Sequence, residues 1–402
     1  MTDHEDHDAP CASDIGFPFP HRDGLGPLPE FTALRRDRPC ARIRLPSGDS
    51  AWLVTRYTDV RTVLADPRFS RARATRGTGP RMSSATTLPD SILATDPPDH
   101  TRLRRLVAPA FTARRVEVLR RSVARLVADL LDALAGQDRP ADLVLLFTRP
   151  LPLAVICDLL GTPRQDGHRL DTWCDALRNL TAVPDDTVTT AVDEMTDYLA
   201  ALVTAKRGHP GDDVLSTLIT AHDDTDRLTR DELISFALVL FTGGYGTTAD
   251  RLAGILHLLL DEPGRYRALC REPGRIPAAV EELLRYAQTN VQANLRVAAE
   301  DVELGGVTIR GGEAVMAVNS SANHDDHVFD QPDRIDLDRA HNPHLAFGHG
   351  VHHCIGAPLA RVQLQEALTG ITRHFPTLRA AGPVTWKTGL TTRAPRTLPV
   401  SW

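Results

Sequence analysis

The stretch Asn342-Pro-His-Leu-Ala-Phe-Gly-His-Gly-Val-His-His-Cys354-Ile-Gly-Ala-Pro-Leu-Ala-Arg361 decides the fold. One cysteine, Cys354, sits in a glycine-rich loop, and a helix is expected to begin directly behind it near Ala357, with Pro358 in its first turn. The sulfur therefore faces a helix N-terminus. Unpaired N–H groups and the positive end of the dipole there favour thiolate over thiol, the form that binds metal. Gly348 and Gly350 remove side chains where a flat group must approach the backbone, and they permit dihedrals that other residues avoid. Two other readings stand beside metal ligation on these residues alone. A lone cysteine is commonly just a small buried side chain. Zinc is the second, because His341, His344, His349, His352 and His353 crowd the same cysteine; zinc sites normally bring two ligand pairs at short fixed spacing, and no second cysteine lies nearby.

Outward from this loop, helical periodicity dominates. Val116, Leu119, Val123, Leu126, Val127, Leu130, Leu131 and Leu134 recur every three or four residues, one face of a long helix. Similar patterns predict helices over roughly 150–160, 190–206, 212–221, 231–260, 276–287 and 357–374. Short β-rich runs lie at Ala41–Leu45, Ala51–Thr55, Val302–Ile309 and Ala314–Val318, with Gly305-Gly306 and Gly311-Gly312 as turns. The expectation is a mainly α protein with small β-sheets: a tail over 1–20, then one domain over 21–402.

With 402 residues, 42% hydrophobic and 24% charged, the chain can bury a sizeable core without staples. Its apolar runs, such as Leu233–Phe241 interrupted by Ser235, fall short of the ~18 residues a membrane span needs. The acidic, polar stretch 1–10 is unlike a secretory signal, so a cytoplasmic protein without membrane contact is expected. Six cysteines at irregular spacing suggest no disulfide framework. A net charge of −6 gives no reason to expect nucleic acid as a partner, and we expect a monomer.

The pattern Phe347-Gly348-x-Gly350-x-His352-x-Cys354-x-Gly356 resembles the haem-binding loop of the cytochrome P450 family. The resemblance implies haem b with Cys354 as axial ligand to iron, His352 at a haem propionate, and a single-domain cytochrome P450 fold. Glu282-Leu-Leu-Arg285 resembles the family's Glu-x-x-Arg pair, a structural element that helps to pin the loop at Asn342–His344; alone, such a pair reads as a solvated salt bridge. The segment from Asp96 to Val107, with His100 and Arg104 on one helical face, resembles the family's propionate-binding helix, and Arg296 matches a third propionate contact.

Departures from the family pattern bear on mechanism. The family places an acid and then a threonine in the middle of its distal helix; here Phe241-Thr-Gly-Gly-Tyr-Gly-Thr-Thr248 keeps Thr247 and has Gly246 in place of the acid. The glycines weaken the helix by up to ~1 kcal/mol each relative to alanine, so a local bulge or inserted waters are expected. Val239, Thr242, Gly243, Gln292 and Thr391 match substrate-facing positions. The amide-rich Gln288-Thr-Asn-Val-Gln-Ala-Asn294 suits either pairing with backbone and propionates, favoured for Asn294, or a polar amide-containing or aromatic natural product such as a cyclic dipeptide. Hydroxylation with dioxygen is the leading expectation, radical coupling or desaturation the alternative, and a non-catalytic haem sensor the rival from another class. No flavin, nicotinamide or iron–sulfur motif is visible, so electrons are expected from a ferredoxin and its reductase. Arg102, Arg105, Arg114, Arg115 and Arg361 offer a basic face for it.

Overall fold

Thr229 opens a long helical run through a reciprocal cap. Its hydroxyl accepts the Glu232 N–H at 3.1 Å, and the Glu232 carboxylate accepts the Thr229 N–H at 2.8 Å. The run comprises Arg230–Phe241, a π-helical turn at Thr242–Gly246, and Thr247–Asp261. The bulge expected from the glycines is that turn. Leu233–Phe241 is buried apart from Ser235, and most of Thr248–Leu260 is buried too, so the run lies inside the helical core. The computed structural model describes residues 15–20, 22–75, 91–178, 183–220, 228–287, 289, 294–390 and 392–402.

The other predicted helices occur at Ala113–Ala135, Pro150–Leu160, Asp185–Gly208, Val214–Thr220, Ile276–Tyr286 and Ala357–His374, each within a few residues of its expected limits except for an earlier start of Asp185–Gly208. Ala357–His374 packs along Ala113–Ala135, where Gly370 leaves room for Val127. Further helices at Asp99–Val107 and Gly167–Leu177 carry site residues.

Strands of two to five residues form a six-stranded sheet in the order Ile15–Gly16, Cys40–Arg44, Ser50–Val54, Ala314–Ala317, Asn294–Ala298, Phe69–Ser70. Alternation buries both faces: Leu53, Leu295 and Met316 join one apolar cluster, Val54, Val315 and Ala317 another. The expected run Val302–Ile309 is a hairpin that turns at Gly305 and Gly306, with φ of +58° and +82°. Asn294–Ala298 was not expected as a strand; it pairs antiparallel to Ala314–Ala317 with Arg296 opposite Val315, which fixes that arginine on a rigid element. Among the described residues no helix is long and apolar enough to cross a membrane.

Candidate functional site

The cysteine loop is closed by its backbone. The Cys354 N–H donates to the Phe347 carbonyl at 2.9 Å, and one 3-10 turn at Gly350–His352 lies between them. Gly348 and Gly350 have φ of +75° and +70°, so both occupy the left-handed region. They differ in what they face. A Cβ at Gly350 would lie 2.5 Å from the Leu64 carbonyl oxygen, whereas at Gly348 the nearest atom would be 4.0 Å away. Close approach of a flat group is therefore a role for Gly348; Gly350 is needed for contact with the Leu64 backbone. Gly356 precedes the helix, with Pro358 in its first turn.

Cys354 is accessible to solvent, yet the surrounding protein raises its thiol pKa. Desolvation is the larger effect; N–H groups of Gly356 and Ala357 and the charges of Arg104 and Arg361 oppose it. The N–H groups at the helix N-terminus act in the direction expected from sequence, against the desolvation. The histidines around Cys354 in sequence separate in space. His344 contacts Glu281 at 3.1 Å, His349 lies 3.4 Å from Arg61, and the rings of His352 and His100 lie 4.2 Å apart. His353 packs near Phe347, and His341 is exposed.

Beside the loop, basic groups converge. His100 is buried and its Nδ1 has no hydrogen-bond partner among the described residues. Arg296 is buried, with its guanidinium on the Leu295 carbonyl, and desolvation followed by Arg71 pushes its pKa down to about 9. The His352 pKa is pushed down to about 3, by burial first and then by Arg296, His100, Arg71 and Arg104. Asp96 is the nearby carboxylate, and it is occupied in capping Arg71–Thr75 through Ser70 and the N–H groups of Arg71 and Ala72. Gathering arginines beside unprotonated imidazoles away from water, with one carboxylate that is already engaged, is costly. The set therefore fits a planar group that carries carboxylates toward His100, Arg104, Arg296 and His352 and a metal toward Cys354. Arg71, which donates to the carbonyls of Leu93 and Leu295 at 2.8 Å each, belongs to this cluster and escaped sequence analysis.

Glu282 and Arg285 are fully buried and doubly hydrogen-bonded at 2.8 Å. Arg285 also donates to the carbonyls of Asn323, Pro332 and Arg334, while Glu282 accepts from the Asp336 N–H, Arg339 and Asn342. The pair thus ties helix Ile276–Tyr286 to the chain entering the cysteine loop. Arg361 is held by Glu281 at 2.8 Å and lies 4.5 Å over the Phe347 ring, and Arg102 pairs with Glu232. Both are thus engaged internally, unlike the open basic face expected from sequence, where Arg105, Arg114 and Arg115 are exposed.

The π-turn presents different glycines to different surroundings. Gly243 and Thr247, one turn apart, are exposed while Tyr245 and Gly246 between them are buried, and nothing would meet a Cβ at Gly243. The Thr247 hydroxyl donates to the Gly243 carbonyl at 2.5 Å. Gly244 packs on Ile156, and a Cβ at Gly246 would collide with the Arg178 guanidinium. Thr242, half-buried, donates to the Leu238 carbonyl at 2.8 Å, and Val239 is buried. Gln292 and Thr391 lie outside the described residues, as does the Asn294 side chain. Arg178, Asp250, Lys387 and Thr392, which meet behind Gly246, were not found from sequence; no spacing signal links four positions so far apart.

Comparison with known proteins agrees with this geometry. Residues 176–380 match the family description Cytochrome P450. The chain is 45% identical over 391 residues to nocardicin C N-oxygenase of Nocardia uniformis subsp. tsuyamanensis, covering 96% of this chain and 98% of that one. It is 43% identical to mycinamicin IV hydroxylase/epoxidase of Micromonospora griseorubida, with 96% and 98% covered. The crystal structure of cytochrome P450mel 107F1 with biaryl coupling reactivity superposes with a TM-score of 0.93 at 40% identity, covering 97% of this chain and all of that one.

Proposed function

The chain belongs to the cytochrome P450 family, a haem-thiolate oxidoreductase family, and on that premise we propose that it hydroxylates a small natural product, with Cys354 as the ligand to haem iron. The observation that carries the reading is the convergence of His100, Arg296 and His352 beside the Cys354 loop, where the nearby carboxylate, Asp96, is already engaged by Ser70 and the N–H groups of Arg71 and Ala72. Haem b, when bound, supplies the centre at which dioxygen is activated with electrons from outside. His100, Arg104, Arg296 and His352 would hold its carboxylates, and the Gly356 and Ala357 N–H groups would stabilise the sulfur anion. Phe347, under the Arg361 guanidinium, braces the loop from the other side.

Thr247 is the hydroxyl that handles protons on the opposite face. It is accessible, and its donation to the Gly243 carbonyl leaves its oxygen lone pairs turned to accept from water. Substrate packs against the bare backbone of Gly243, with Val239 and Thr242 on the same helix and Gln292, Asn294 and Thr391 supplying polar contacts to an amide-containing or aromatic compound. A ferredoxin, reduced by its reductase, supplies electrons over the face carrying Arg114 and Arg115. The relatives that act as N-oxygenase and hydroxylase/epoxidase support oxygen insertion.

A second reading has its own support. Gly246 offers no carboxylate beside Thr247 and the space is filled by a guanidinium, an arrangement that favours radical coupling or desaturation; a similar structure is described as having biaryl coupling reactivity. Mass spectrometry of products from candidate compounds, cyclic dipeptides among them, separates the two: gain of one oxygen against loss of two hydrogens. Cys354→Ser is expected to abolish the thiolate-type absorption of the carbon monoxide complex, and its retention would overturn the ligand assignment. Absence of reduced-nicotinamide consumption through a ferredoxin pair with every compound tried would point to a sensor.

A further inference from the structure

Asp250 lies one helical turn beyond Gly246 on the same face, with a side-chain exposure of 3%. Its carboxylate gathers three groups from two other parts of the chain. Oδ2 accepts from Arg178 and from the Thr392 hydroxyl, and Oδ1 accepts from Lys387 at 2.7 Å. Arg178, directly after helix Gly167–Leu177, also donates to Thr392 at 2.5 Å, and its side chain is 6% exposed. Its Nε and Nη1 have no hydrogen-bond partner among the described residues, and Nη1 rests where a Cβ of residue 246 would lie. A guanidinium stays in so dry a place because Asp250 holds its other end.

The preceding residue is anchored in the same layer. Tyr245 is buried and its hydroxyl donates to Asp171, which pairs with Arg149, which in turn reaches Asp175. Across this layer Arg149, Arg178 and Lys387 face Asp171, Asp175 and Asp250. Tyr245 and Gly246 are thus gripped from behind, while Gly243 and Thr247 face the open side. A π-helical turn is a rare conformation and needs such support to persist.

We propose that Arg178 is a positioning residue: clamped by Asp250 and Thr392, it fills the volume of the missing side chain at 246 and holds the π-turn that presents Thr247. The consequence for proton handling rests on the reading of Thr247 given above. The clamp also explains why the acid cannot simply be restored, since Gly246→Asp must first displace Arg178.

Hydrogen exchange of the haem-loaded protein, read by mass spectrometry on peptides covering 242–247, tests the clamp. Arg178→Ala is expected to speed exchange there about ten-fold while helix Ala357–His374 is unchanged. Arg178→Lys keeps a cation for Asp250 and is expected to recover part of the protection, which loss of bulk packing would not explain. Gly246→Ala is expected to act like Arg178→Ala because its methyl expels the guanidinium, and in the double variant the effects do not add. Imidazole, titrated spectrally into the same samples, is expected to bind with an affinity changed several-fold if the altered turn reaches the ligand side. Unchanged exchange in Arg178→Ala, or additive effects in the double variant, overturns the proposal; should Arg178→Ala fail to fold, Arg178→Lys and Gly246→Ala carry the test. The carbon monoxide spectrum of each sample reports on Cys354 separately, so failure of the haem-thiolate reading is distinguishable from failure of the clamp.

Discussion

Gly350 cannot carry a side chain for two reasons that act together. Its φ of +70° costs an L-residue on the order of 1–2 kcal/mol, and its Cβ would press on the Leu64 carbonyl, a backbone atom that cannot swing aside. Gly348 shares the dihedral without the obstruction. Gly350→Ala is therefore expected to lower the thermal midpoint by several degrees with haem occupancy retained in the folded fraction, whereas Gly348→Ala is expected to lower occupancy as well, because its methyl points into open space. Thermal denaturation together with the haem-to-protein absorbance ratio checks both. At this scale the cysteine loop was readable from sequence, since residue type and spacing carry the backbone requirement. Which glycine serves the loop and which serves a ligand was not readable, because Leu64 is remote in sequence. Gly246 is a similar case: its missing side chain was visible, while the guanidinium filling the space comes from Arg178, at the end of helix Gly167–Leu177.

Helix Ile276–Tyr286 meets helix Ala357–His374 through Glu281, whose carboxylate accepts from Arg361 at 2.8 Å on each oxygen and contacts His344. Burial pushes this carboxyl upward, but its hydrogen bonds to His344 and Arg361 prevail and hold it at about 2, below its ordinary 4.5. The folded form thus binds the proton less readily than the unfolded chain, so the contribution of Glu281 to stability is fully present above pH ~4.5 and is lost as pH falls toward ~2. Glu281→Gln is expected to lower the midpoint at pH 7 and to have a diminishing effect below ~4.5, measured by thermal scans of both proteins across that range; a constant difference would refute the assignment. The periodic helices were legible because each buries one continuous face, as Val116 to Leu134 show. Strand Asn294–Ala298 was not: the amides preceding it mask the alternation of Leu295 and Val297, and its pairing with Ala314–Ala317 is a long-range event that local pattern does not encode.

Across the whole molecule the chain is acidic, with a net charge of −6, yet it concentrates basic residues away from water at one place. His100, Arg104, Arg296 and His352 were legible in the sequence through their resemblance to a family, and Arg71 was not; composition gave no hint of the local excess. This distribution makes opposite predictions for the haem-free and haem-loaded states. Without haem, Arg296 is buried beside like charge, which pushes its pKa down to about 9, so Arg296→Leu removes an unfavourable group. With haem, the same change removes a charge-assisted hydrogen bond worth about 1.5–3 kcal/mol, equivalent to roughly 10- to 100-fold in affinity. Arg296→Leu is therefore expected to leave the haem-free midpoint unchanged or raise it while haem transfers to apomyoglobin at least about ten-fold faster. A residue with a purely structural role in strand Asn294–Ala298 would lower stability in both states; that outcome would remove Arg296 from the cofactor cluster and leave His100, Arg104 and His352 to hold the carboxylates.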